Sequence, residues 1–94
     1  MRIVGRLPDP RMQITIFDND GRFPVQFELG GITQTYRFRK GLHLSNMGHL
    51  RTYIDQEFRD AVFKQFAEMR RIQVGVLRRI DPPGEESEDL PRII

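Results

Sequence analysis

Apolar and polar residues alternate along the chain in three successive runs. Met12, Ile14 and Ile16 share one parity of the first run. Phe23, Val25, Phe27 and Leu29 share one parity of the second. Ile32, Tyr36 and Phe38, with Gln34 among them, share one parity of the third. Alternation of period two is the mark of a strand that buries one face. Turn signals separate the runs. Asp18-Asn-Asp-Gly21 is one, and Gly30-Gly31 is a two-residue hairpin connection in which glycine takes positive φ at no steric cost.

The registers agree with one another. A two-residue loop at Gly30-Gly31 sets Leu29 opposite Ile32, Val25 opposite Tyr36 and Phe23 opposite Phe38. An even-numbered loop between Asp18 and Gly21 sets Ile14 and Ile16 opposite members of the Phe23/Val25/Phe27 set. All three apolar faces then coincide, whereas a slip of one residue would turn one of them to water. Gln34 is the polar residue on this face, opposite Phe27, with its amide expected to satisfy a backbone group at the sheet margin.

The flanking segments read less clearly. Arg2-Ile-Val-Gly-Arg-Leu7 suits a short strand, but Pro8 and Pro10 end it. In the connector 40–51, Leu42 and Leu44 offer a short fourth strand. Ser45 offers a cap for a helical turn that Gly48 weakens. From Thr52 the period becomes helical. Thr52 reads as N-cap with Asp55 three residues on, and Ile54, Phe58, Ala61, Val62, Phe66 and Met69 form the stripe that Ile72 and Val76 prolong. The expected fold is therefore α+β, an antiparallel β-meander of three to four strands packed on one long C-terminal helix. Residues 1–80 make a single domain, and 81–94 read as a disordered acidic tail.

Helix and strand lengths differ. A helix over 52–79 is about 42 Å long, and an eight-residue strand covers about 27 Å. The helix should overhang its sheet, with Phe63, Ile72, Val76 and Leu77 in need of cover. A homodimer joined through Ile72, Val76 and Leu77 is the expected partner arrangement, since a 94-residue core is small.

Charge and composition narrow the chemistry. The net charge is +2, but residues 81–94 carry Asp81, Glu85, Glu86, Glu88 and Asp89 against Arg92. That segment is net −4, leaving +6 on residues 1–80. Such a body suits an anionic partner. The absence of cysteine removes disulfides and thiolate metal sites. No apolar run suits a signal peptide or a membrane span, so a cytoplasmic protein with no membrane partner is expected.

No catalytic set emerges. Asp18-Asn-Asp-Gly21 resembles the start of a calcium loop, but Phe23 and Leu29 stand where glycine and a bidentate acid belong. His43 and His49 match no common zinc spacing, and a Ser45/His49 pair lacks an orienting acid. Neither enzyme activity nor a cofactor is expected. The other parity of the strands remains: Arg11, Gln13, Thr15 and Phe17; Arg22, Pro24, Gln26 and Glu28; Thr33, Thr35, Arg37 and Arg39. Arg11, Arg22, Arg37 and Arg39 suit phosphate contacts, and Phe17 suits a stacked base; the same residues equally suit a plain solvated sheet face or a protein contact.

The run Phe27-Glu-Leu-Gly-Gly-Ile-Thr-Gln-Thr-Tyr36, with Glu57-Phe58 and Phe66-Ala-Glu-Met69, resembles a group of small uncharacterised bacterial proteins. The layout of meander then helix is similar to the PUR repeat. That resemblance implies two such units joined at their helices and single-stranded nucleic acid bound on the sheet. With one unit per chain it implies a homodimer. The alternative expectation is a protein-interaction or structural module with no nucleic-acid binding.

Overall fold

The computed structural model describes residues 1–81; the acidic tail read at 81–94 therefore lies, from Pro82 onward, outside the described residues. Four strands, β1 (Arg2–Leu7), β2 (Gln13–Asp18), β3 (Arg22–Leu29) and β4 (Ile32–Arg39), precede two helices, α1 (Met47–Tyr53) and α2 (Gln56–Ile80). The strands form one antiparallel sheet in the order β1-β2-β3-β4.

The registers expected from parity are those observed. Ile14 faces Phe27 and Ile16 faces Val25. Val25 faces Tyr36, Phe27 faces Gln34 and Leu29 faces Ile32. Gly30 and Gly31 take φ of 58° and 82°, as a two-residue hairpin of this hand requires. The first hairpin closes with the Asn19/Arg22 bridge around Asp20-Gly21, and Asp20 carries φ of 53°.

β1 is a full strand, with a register shift between Ile3 and Gly5. That bulge puts both Val4 and Leu7 against the core, which a plain alternation would not do. Gly5 has a second role. Met47 of α1 lies over it, and a Cβ there would stand 2.9 Å from the Met47 methyl.

The core is one cluster on one side of the sheet. Ile14, Ile16, Val25 and Phe27 meet Leu50, Ile54, Val62 and Phe66. Phe58 is the centre of an aromatic group, edge-on to Phe27, Tyr36 and Phe38 at 5.5, 5.3 and 6.2 Å. Such edge-to-face pairs add to simple area burial. Gln34, buried at 7% exposure, links the layers: its amide donates to the Val62 carbonyl at 3.0 Å and accepts from the Tyr36 hydroxyl at 2.6 Å. The amide does satisfy a backbone group, but one on the helix rather than in the sheet.

The helical region differs from the expectation in its start. Thr52 is not the cap of the long helix. It lies in the last turn of α1, where its hydroxyl donates to the Gly48 carbonyl. The cap of α2 is Asp55, whose carboxylate accepts from the Phe58 amide at 2.9 Å. α1 is capped by Asn46, not Ser45. Asn46 accepts from the His49 amide, and the extended backbone at Asn46 suits that role. Leu42 and Leu44 add no strand, since only the single Gly41/Leu44 bridge forms there. Gly75 does not stop α2, which runs to Ile80.

Candidate nucleic-acid interface

The pairing builds the second face of the sheet directly. One row across it holds Arg6, Thr15, Gln26 and Thr35. A second pairs Ile3 with Phe17, and Pro24 with Arg37. At one end Arg22 meets Arg39, and at the other Gln13 meets Glu28 and Glu28 meets Thr33. Pro24 has no N–H to donate and sits where the β2–β3 ladder pauses, between the Ile16/Val25 pair and the Asn19/Arg22 bridge.

Both helices contribute to the core on the opposite side, so among the described residues no element covers this face. Its centre is nonetheless closed. Thr15 is 9% exposed and Pro24 is fully buried. Phe17 is half-buried, and Ile3 beside it is half exposed.

The electrostatics divide the two sides of the sheet. On the helix side each cation at the layer contact has a partner. Arg11 pairs with Asp9 and Asp60 at 3.5 and 3.0 Å, and its guanidinium lies over the Phe63 ring. Arg59 bonds the carbonyls of Ile54 and Pro8 and lies 3.6 Å from Asp9. Lys40 pairs with Asp18 at 2.8 Å and lies over Phe23. The Lys40 hydrogen bond holds the Asp18 carboxyl below the usual carboxylate range. The Gln56 amide and then Arg11 do the same for Asp60. On the open face, Arg6, Arg22, Arg37 and Arg39 form no side-chain hydrogen bond or ion pair with any described residue. Glu28 is the one acid on the paired rows of that face.

Of the five residues expected there, four arrive together: Phe17, Arg22, Arg37 and Arg39. Arg11 does not. It precedes β2 in the loop shaped by Pro8 and Pro10, and Asp60 and Phe63 draw it to the helix side. Two residues that sequence reasoning missed complete the face, Arg6 and Ile3. Both lie on β1. Their signal was the alternation in Arg2–Leu7, blurred by the bulge that makes Ile3 and Val4 adjacent apolar residues.

His49 is a local capping element. Its Nδ1 accepts from the Ser45 amide at 3.1 Å, which ties up the nitrogen nearest the Ser45 hydroxyl. Among the described residues, no group of three or more histidine, cysteine or acidic side chains could hold a metal ion. No helix among them is long and apolar enough to cross a membrane. No protein-family model, no curated protein and no solved structure matches this chain.

Proposed function

We propose that the open sheet face binds single-stranded nucleic acid, as a binding module of the cytoplasm rather than an enzyme. The observation that carries the reading is the set of four arginines, Arg6, Arg22, Arg37 and Arg39, exposed on one face with no carboxylate partner among the described residues. Unpaired guanidiniums on a sheet surface meet phosphates without first breaking an internal ion pair. Phe17 and Ile3 supply an apolar step on which a base can rest. Thr35 and Gln26 supply hydrogen-bonding groups beside it. Glu28 sets the polarity of the face, since phosphates are repelled from the Gly30 end and drawn to the Arg22/Arg39 end. A meander with its helices on one side and its open face toward nucleic acid is the arrangement of the PUR repeat, the architecture that this chain resembles.

The test is binding of labelled single-stranded DNA and RNA across a salt series. Affinity should fall by roughly 0.7 log units per phosphate contact for each tenfold rise in salt. Arg37→Ala with Arg39→Ala should flatten that slope, and Phe17→Ala should cost on the order of 1–3 kcal/mol of binding. No binding at low salt, or binding indifferent to these changes, would overturn the reading. A protein contact is favoured by a separate observation, the apolar end of α2.

A further inference from the structure

Arg70 marks where α2 leaves its sheet, because its guanidinium donates to the Gly30 carbonyl at the tip of the β3–β4 hairpin. Ten more residues follow to Ile80, about 15 Å of helix that runs on past the hairpin tip. The apolar stripe does not stop with the sheet. Val62, Phe66, Met69, Gln73, Val76 and Ile80 recur at alternating spacings of four and three, the repeat that keeps a seam on one side of a helix. Val62 and Phe66 are 1% and 3% exposed, whereas Val76 and Ile80 are 43% and 67% exposed. Ile72 and Leu77 widen the stripe at 59% and 38%.

We propose that a second copy of this chain covers the overhang, with the two α2 ends antiparallel and crossing near Val76. Charge admits a second copy, and shape sets its direction. The charged side chains of the overhang, Arg71, Arg78 and Arg79, lie off the seam, so two copies meet without opposing charges. With Val76 at the crossing, Ile80 of one copy falls opposite Ile72 of the other. Ile72 lines a recess with Ile32, Met69 and Gln73 where the helix departs from the sheet. Each copy thus offers a projecting Ile80 and a recess to receive one, as a two-fold interface requires. Since the seam faces each copy's own sheet, the two open sheet faces point away from one another and stay uncovered.

The experiment is sedimentation velocity of the full chain at micromolar concentration without nucleic acid, so its failure leaves the reading of the open face standing. The chain should sediment as a dimer, and its melting midpoint should rise with protein concentration. Ile80→Glu, in the last turn and outside the core, should weaken self-association by roughly tenfold or more; Val76→Glu should do so further. Should Val76→Glu unfold, Ile80→Glu decides. The chain has no cysteine, so single-cysteine variants report the geometry. Ile72→Cys mixed with Ile80→Cys should crosslink in preference to Ile72→Cys alone. A wild-type monomer, a dimer unmoved by Ile80→Glu, or preferential Ile72→Cys self-crosslinking would overturn the proposal.

Discussion

The four-stranded sheet presents two faces, and the faces differ in what the cations on each side do. On the helix side, Arg11, Arg59 and Lys40 each bridge separate segments. Arg11 reaches from the β1–β2 loop to Asp60 on α2, Arg59 reaches back to Pro8, and Lys40 ties the end of β4 to Asp18. On the open side, Arg6, Arg22, Arg37 and Arg39 bridge nothing among the described residues. Cations that close the fold are placed by acids drawn from distant parts of the chain. Cations left facing water are placed by their positions on the strands, by alternation for Arg22, Arg37 and Arg39 and past a bulge for Arg6. Among the described residues their charge is uncompensated, and that is the property an anionic partner would use. Arginine count therefore says little about binding until the ion pairs have been assigned.

The comparison is tested most severely at the aromatic centre of the helix side. Phe58→Ala removes the ring that meets Phe27, Tyr36 and Phe38. It should cost about 3 kcal/mol in denaturant melts. A cost below about 1 kcal/mol would mean that α2 is held mainly by its other contacts, Val62 and Phe66. Next is the polar clamp. The Asp9 carboxylate is 2% exposed and accepts from the Arg11 amide at 2.8 Å while lying beside Arg59. Asp9→Ala should cost about 2 kcal/mol by leaving partly buried donors unpaired. The same melts on Arg37→Ala with Arg39→Ala should move by less than about 0.5 kcal/mol. Equal losses from the two variants would erase the distinction between the faces.

The smallest effect is that of acid. Asp18 and Asp60 have carboxyl groups held below their usual range, by the Lys40 and Gln56 hydrogen bonds first. A depressed folded-state value means that the unfolded chain binds protons more readily. Their contribution is present above the ordinary carboxylate range, about pH 4, and is lost as pH falls below it through the folded values. Melting temperature should be level from neutral pH to about 5 and fall below about 4, and Asp18→Asn should shallow that fall. Since both acids partner groups on the helix side, binding at the open face should follow only the loss of fold. A binding change at a pH where the melt is flat would place a titrating group on the open face.

Much of the molecule is legible along the chain because its signals are local. The two-residue loop and the parity of Phe23, Val25 and Phe27 fix the β3–β4 pairing, since side chains alternate between faces by backbone stereochemistry alone. The same rule assigns Phe17, Arg22, Arg37 and Arg39 to the open face, and the helical period of α2 assigns Val62 and Phe66 to the core. What tertiary structure decided involves groups far apart in sequence. Alternation puts Arg11 with Thr15 and Phe17, but Asp60 and Phe63, some fifty residues on, take it to the other side. The bulge in β1 depends on Val4 and Leu7 both finding core, and it brings Arg6 and Ile3 to a face where simple periodicity did not place them. The break between α1 and α2 belongs to Ile54, buried at 2%, and to Asp55, free there to cap a new helix. Local stereochemistry determined which residues share a strand face. Long-range burial and ion pairing determined which charges were left over.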